Sequence, residues 1–328
     1  MNTGDVRLSV VVVTHFGGQL LVDCVDSIQP QLRQGDELFV VVSSEAGSAD
    51  LKGVSAPLIQ LGRNVGFATA ANEGIRASSG DGVFILNDDT VADPCLLKTL
   101  RSSLNVPGIY QPKIILADGT GRLDNTGHGL YPDGFNWAIG REDLDGDSYD
   151  TPREVGACSG AAMLVHRAVL DKIGLFDESF HSFGEDIDLS LRAKRAGFVL
   201  MYVPEAKIYH HLGASYGRYG LKKLFWIERN RMQVAFRSMP VSLLLTMPLW
   251  TTIRVFGLSA ASASGRSWGA RIQKRGAVAV AAGIVTGACH IPWALGKRRK
   301  DAPGWVMGER QMLRSMYSNR VRLTDVFR

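Results

Sequence analysis

Apolar residues first gather at Leu8 to Val13, a β-branched run that the loop Thr14-His15-Phe16-Gly17-Gly18 closes. A run apolar on both faces has the signature of a central parallel strand covered by helices on either side. Gln19 to Ile28 then has helical spacing, while Glu37 to Val42 and Pro57 to Leu61 read as strands. Gly66 to Ala77 is a small-residue helix suited to close packing, and Val83 to Leu86 is a fourth strand. This alternation predicts a parallel sheet with crossover helices.

The period is lost near Leu116. Asp118 to Tyr149 is rich in Gly, Asp and Asn and reads as a loop or hairpin excursion. Ala157 to His166 returns to small and apolar residues, Arg167 to Ile173 is a short helix, and Ser182 to Gly197 is a helix with carboxylates clustered at its start. Phe198 to Val203 is a late strand. From Leu221 the character changes again. Leu221 to Arg237 is an amphipathic basic helix carrying Phe225, Trp226 and Phe236. Val241 to Leu258 is apolar on nearly all faces, interrupted by Pro248 and Arg254. Gly276 to Gly296 holds no acid or base apart from His290, between Lys/Arg clusters. It has bilayer-spanning length, but its Ala, Gly and Pro292 content favours an interfacial or core helix, with spanning as the alternative.

The chain of 328 residues, 45% hydrophobic and 21% charged, can bury a large core and is not a disordered polymer. Its formal net charge is +5, and much of the excess lies late, notably in Lys222-Lys223, Lys274-Arg275 and Lys297-Arg298-Arg299-Lys300. Such asymmetry calls for an anionic partner. With no recognisable nucleic-acid motif, a membrane surface is the better reading. Four widely separated cysteines form no Cys-x-x-Cys pair, which argues against zinc or a disulfide framework and fits a reducing compartment. The first residues lack a secretory signal, so the expected location is cytoplasmic, peripheral on the inner face of the cell membrane.

Chemistry enters with Phe84-Ile85-Leu86-Asn87-Asp88-Asp89, an apolar run ending in adjacent carboxylates. In open α/β folds ligands bind at that carboxyl edge, where acids can hold a hard divalent cation bridging phosphate oxygens. Capping of the next helix is the plain alternative. Further groups stand in order along the chain: Thr14-His15-Phe16; Arg63-Asn64-Val65-Gly66-Phe67 with Asn72; Gly174-Leu175-Phe176-Asp177-Glu178; Phe183-Gly184-Glu185-Asp186-Ile187-Asp188-Leu189 with Arg192; and His210-His211-Leu212-Gly213-Ala214-Ser215.

In this order and spacing the set resembles family 2 glycosyltransferases of the GT-A fold, particularly the bacterial rhamnosyltransferase-like branch, over roughly residues 8 to 240. The resemblance implies an α/β fold: a mostly parallel sheet flanked by helices, with a Rossmann-like nucleotide-binding half (1–115) and an acceptor half (116–237); the apolar and basic composition beyond them adds a C-terminal helical, membrane-associating extension (238–328). It implies an inverting transfer, with Mg2+ or Mn2+, from a nucleotide-diphosphate sugar, rhamnose being one candidate, to a saccharide or lipid-linked acceptor in cell-surface polysaccharide synthesis. Asp89 would contact the metal, helped by Asp88 or Asn87, and His210, five residues before Ser215, would complete its shell. Asp186 would be the base and Glu185 would position the acceptor hydroxyl. Asp188 reads instead as a partner for Arg192 at i+4.

Thr14 and Phe16 would wall the base and ribose, and Arg63 would approach a phosphate. Asn64 and Gly66 would shape the turn, with Asn72 facing back along its helix. The family places an Asp after the second strand to hold the base. Here Ser43-Ser44 stands in that region, with Glu45 the nearest acid, so uridine and thymidine both stay open. Ala157 to Ala161 resembles the floor beneath the donor sugar, or packs a strand on a helix. Tyr131, Phe135 and Trp137 either stack on an acceptor sugar or anchor their loop. Two other functions compete. A sugar nucleotidyltransferase would want a basic residue beside Gly17-Gly18. A non-catalytic membrane-binding module would not need Asp89 and Asp186.

Overall fold

A computed structural model describes residues 6–211, 220–263 and 274–326. Strands β1 (Leu8–Thr14), β2 (Glu37–Val42), β3 (Leu58–Gln60) and β4 (Gly82–Asn87) are parallel neighbours, and α1 (Gln19–Ile28) and α2 (Phe67–Ala77) cross between them. Alternate residues enter two cores. Val10, Val12, Phe84 and Leu86 pack with Leu21, Val25 and Ile28 of α1. Val11, Val13, Val83 and Ile85 pack with Ala68, Ala71 and Ile75 of α2. Burial on both faces is why these strands carry so little polar alternation. Helix α2 comes so close that a Cβ on Gly74 would lie 2.2 Å from Val11 Cγ1.

Beyond β4, β5 (Thr90–Ala92) and α3 (Leu96–Ser103) lead to β6 (Gly108–Leu116). The excursion predicted over 118–149 contains β7 (Leu123–Asn125) and a hairpin of β8 (His128–Leu130) and β9 (Asn136–Ala138). After β10 (Arg153–Glu154), β11 (Ala162–His166) inserts antiparallel between β4 and β6. Strand β12 (Val199–His210) pairs parallel with β6. The full order is β10-β12-β6-β11-β4-β1-β2-β3, with β5 on β12 and β7 on β6. β12 runs past Val203, the end read from sequence. Pro204 coincides with a register shift, after which pairing resumes from Lys207 to His210.

Helix α4 (Arg167–Ile173) is followed by α5 (Glu185–Arg195). α5 starts three residues later than the pattern predicts, because Phe183 (φ 65°) and Gly184 (φ 94°) take left-handed backbone. A non-glycine residue there costs about 1–3 kcal/mol and needs external support. Asn230 supplies it by donating to the Ser182 and Phe183 carbonyls.

The last part of the chain is helical: α6 (Leu221–Ser238), α7 (Val241–Ala263), α8 (Lys274–Cys289), α9 (Ile291–Asp301) and α10 (Glu309–Ser318). The apolar stretch read as one segment over 276–296 is two helices, bent by 52° around His290. Among the described residues no single helix is long and apolar enough to cross a membrane. A third core joins Phe180, Ile187 and Leu191 to Met232 and Val234 of α6, Met247 of α7, and Met312 and Met316 of α10. Arg195 Nη2 lies 2.9 Å from Glu309 Oε1, and Lys194 Nζ donates to Ser315 Oγ at 2.8 Å. Arg237 bridges Asp188 and Asp301. Residues beyond 237 therefore brace α5, the helix with the candidate acids at its start.

Candidate active site

The carboxyl ends of β1 and β4, the β7–β9 excursion, and the starts of α5 and α6 surround a cavity of about 920 Å³. It contains both Asp89 and Asp186, so the two acids face a common space.

At the β4 end, the Asp88 carboxylate accepts a short hydrogen bond from Thr14 Oγ1. Burial, reinforced by the neighbouring Asp89, pushes Asp88 up to about 6 despite that bond. Asp89 Oδ1 lies 3.1 Å from His210 Nε2, and His210 Nδ1 lies 2.8 Å from Asp124 Oδ2. Arg141 Nη1 then donates to Asp124 Oδ1 at 3.1 Å. Burial opposes charge on His210, yet its bonds to Asp124 and Asp89 prevail and raise it to about 10. Beneath this end, Cys24 Sγ approaches the Asn87 carbonyl, and burial pushes its thiol up to about 12, away from the reactive thiolate.

At the opposing end, Asp186 Oδ2 accepts from Gly160 N and Oδ1 from Ile187 N, both at 2.8 Å. Glu185 is buried beside it. Desolvation first, then the Asp186 charge, raises its carboxyl well above the ordinary range, so it is held neutral. Its Oε2 has no hydrogen-bond partner among the described residues. His128 faces the same cavity. Asn125 Oδ1 accepts from Gly127 N at 2.7 Å, which turns Asn125 Nδ2 toward His128 Nε2 at 2.9 Å. Nε2 therefore accepts, and the network assigns the ring proton to Nδ1. That Nδ1 is buried without a partner, and desolvation lowers the pKa of the ring, keeping it neutral.

The other expected residues divide. Thr14, Phe16, Ser43, Asn64, Gly66, Asn87, Asp88, Asp89, Glu185, Asp186 and His210 all line the cavity. Ser43 Oγ accepts from Val65 N and Asn64 Oδ1 from Gly66 N, so both shape the turn before α2. A Cβ on Gly66 would lie 2.4 Å from the His181 carbonyl, which explains glycine there. Two expectations need correction. Arg63 is exposed and outside the cavity wall. Asn72 is buried away from it, exchanging hydrogen bonds with the Phe176 backbone and reaching Glu178, because the 174–178 turn needs a partner on α2. Asp188 pairs with Arg192 as expected, at 2.7 Å. Ser215 lies outside the described residues.

Ser159, Gly160 and Ala161 form part of the cavity wall, and the Gly160 amide also ties the start of β11 to α5, as the packing reading expects. Phe135 and Trp137 stack within the cavity, ring centroids 6.2 Å apart. Tyr131 instead meets Trp250 edge-on and anchors its loop. Sequence reasoning missed Asp124, Asn125, His128 and Arg141, which lie in the aperiodic excursion. A faint signal exists there: Asp124, Asn125 and Thr126 are buried polar residues between apolar ones.

Could the site hold a divalent cation? Among the described residues no group of three or more His, Cys, Asp or Glu forms a ready cage. A cation that takes one or two side chains and completes its shell with substrate phosphates needs none. Asp89 gives an oxygen donor, and His210 would give a nitrogen donor once a cation displaced the Nε2 proton it directs at Asp89, with Asp124 behind the imidazole as its orienting carboxylate. The donor set fits.

An open α/β sheet with acids at its carboxyl edge, facing a helix-borne acid across a cavity, defines the architecture of GT-A transferases. The chain belongs to glycosyltransferase family 2, matching the family described as "Glycosyltransferase like family 2" over residues 6–233. It is 42% identical over 66 residues, 20% of this chain and 22% of the other, to the N-acetylglucosaminyl-diphospho-decaprenol L-rhamnosyltransferase of Mycobacterium tuberculosis. It is 25% identical over 228 residues, 65% of this chain and 18% of the other, to the O-antigen biosynthesis protein RfbC of Myxococcus xanthus. The chain thus spans about a fifth of the length of these curated relatives. Among solved structures it resembles GalNAc-T7 with UDP, GalNAc and Mn2+ (TM-score 0.56, 14% identity, 90% of this chain and 57% of that one). It also resembles the Pyrobaculum calidifontis mannosyltransferase with GDP-Man and Mn2+ (TM-score 0.52, 15% identity, 88% and 87%). These likenesses show the GT-A fold.

Proposed function

We propose that this chain is an inverting, metal-dependent glycosyltransferase that moves a sugar from a nucleotide diphosphate to a saccharide or lipid-linked acceptor in bacterial cell-surface polysaccharide synthesis. The observation that carries the reading is the shared cavity between Asp89 and Asp186. Asp89 and His210 would hold Mg2+ or Mn2+, which when bound neutralises charge developing on the leaving diphosphate. Thr14 and Asn64 would line the nucleotide.

Asp186 takes the proton of the attacking hydroxyl, its carboxylate already oriented by the Gly160 and Ile187 amides. Glu185, kept neutral by burial, offers its unpartnered Oε2 to an acceptor hydroxyl. Direct displacement at the anomeric carbon inverts its configuration. The partial relationship to a rhamnosyltransferase supports rhamnose as the first donor sugar to try, with the acceptor at the cytoplasmic face of the membrane.

A panel of sugar nucleotides tested by thermal shift with manganese present checks the proposal, since a ligand that binds the native state raises its melting temperature. One base and sugar should stand out, and its shift should vanish with a chelator. No shift with any sugar nucleotide would refute it.

A further inference from the structure

Helix α7 presents two opposite faces. Inward, Arg254 donates to Asp133 at 2.8 Å and to both oxygens of Glu228, Thr251 donates to Asp133, and Trp250 packs on Tyr131. Arg254 is the sole charged residue between Val241 and Gly257, and it is buried. Outward, Val241, Leu245 (79% exposed), Leu249, Ile253 and Phe256 (72%) follow one another at helical spacing. Ser242, Thr246, Pro248 and Thr252 lie exposed between them. Among the described residues of α7 no exposed charge interrupts this stripe, about 22 Å long at the helical rise per residue, and the Glu309 carboxylate that accepts from Val241 N at its foot is paired with Arg195 and Arg298. Scattered exposed apolar residues need no explanation, whereas an aligned row over four turns marks an interaction surface.

Helix α8 likewise has an inward and an outward side. Beside Ile284, which packs into the third core, two inward positions are glycines: a Cβ on Gly283 would lie 2.6 Å from the Phe225 carbonyl, and one on Gly287 2.9 Å from the Arg229 carbonyl. The larger Val278 (69% exposed) and Val285 (64%) point away from the protein, with Ala281, Ala282 and Ala288 around them. The glycines let α8 pack closely on α6, and the side it turns outward is apolar and uncharged. Both helices also meet α6 at one residue, since Arg254 binds the Glu228 carboxylate and Gly283 faces the Glu228 Cβ.

Charge selects the partner. Arg298 donates to the Met239 carbonyl, two residues before α7 begins, and so brings the Lys297–Lys300 run of α9 to the foot of the apolar stripe. Arg299 and Lys300 of that run are exposed. An uncharged apolar surface with cations at its margin suits an anionic lipid bilayer, the acyl region taking the side chains and the headgroups the cations. No single described helix has the length and apolarity to span, although α8 and the bent helix after it reach both together; the exposed row on α7 suits a contact in the interfacial plane.

We propose that the outer faces of α7 and α8 dock the protein onto an anionic phospholipid bilayer. The inward face of α7 holds Asp133, two residues from Phe135 in the cavity wall, so a bilayer on its outer face lies about one helix diameter, roughly 10 Å, from that wall. This deepens the lipid-linked acceptor reading, and its test is independent of transfer.

The full chain is floated with phosphatidylcholine vesicles, with and without phosphatidylglycerol. The wild type should float with the anionic vesicles. Leu245→Glu with Leu249→Glu should weaken that association roughly tenfold or more, and Val278→Glu with Val285→Glu several-fold. Arg299→Glu with Lys300→Glu should weaken it at low salt and matter little at high salt. Manganese-dependent donor hydrolysis in detergent-free solution should stay unchanged in all of these variants. Failure of the wild type to hydrolyse any donor would count against the transferase reading and leave docking to the flotation result, whereas a variant that loses hydrolysis has lost its donor site and is replaced by the corresponding single substitution. A wild type that floats with neither vesicle overturns the proposal, as do apolar-face variants that float like the wild type. Conversion of a dimer to a monomer by the α7 variant, with flotation unaltered, would assign the face to a second copy of the chain and overturn it too.

Discussion

The two ends of the cavity differ in how their polar groups are satisfied. At the β4 end Asp89, His210, Asp124 and Arg141 form a closed series, each with a partner on the next. At the α5 end Glu185 Oε2 and His128 Nδ1 are buried with none among the described residues. An unmade buried hydrogen bond costs about 1–3 kcal/mol, so such groups persist where something outside the chain completes them. The satisfied end is a prebuilt grip, and the unsatisfied end is shaped for hydroxyl groups it has yet to meet.

Breaking the grip should cost most. Asp89→Ala is expected to abolish metal-dependent donor binding, read by calorimetry with and without manganese. Persistent metal-dependent affinity would contradict its assignment. Asp186→Asn should retain donor binding and lower turnover by about a thousandfold, within the range for a removed general base. Near-normal turnover would dismiss it as the base. Asp124→Asn keeps the shape but weakens the hold on His210, and should reduce manganese affinity by about 10–100-fold while leaving donor affinity at saturating metal nearly intact. The mildest change belongs to the open end. His128→Phe keeps a ring and removes the Nδ1 proton, and should raise the acceptor KM by roughly tenfold with little change in donor binding. An equal loss at both substrates would mean that His128 only supports the fold. A control disturbs both ends alike: Met312→Ala empties a fully buried position and should cost about 2–5 kcal/mol of stability.

Most of the parallel half was legible, because burial on two faces leaves an unmistakable run such as Leu8 to Val13 and ends it sharply at Thr14. The acids of β4 and α5 stand at element ends and were legible for the same reason. The excursion was not. Asp124 and His128 are placed by short strands and turns without a period, and their role arises only when β12 brings His210 beside β7. Asn72 misled because its position on α2 says nothing of the 174–178 turn that takes its side chain. The tail was legible only in outline. Its hydrophobicity serves two purposes, with Met247, Met312 and Met316 packing inward while Leu245 and Leu249 face out, and composition alone merges the two.

The thiols of the chain have a practical consequence. Cys24 and Cys158 are buried with raised pKa values, whereas Cys95 and Cys289 are exposed. Cys289 ends α8 beside Val285, on the side turned from α6. With Cys95 changed to Ser, a maleimide dye should therefore attach at one place, and its emission would brighten and shift to the blue as that helix leaves water.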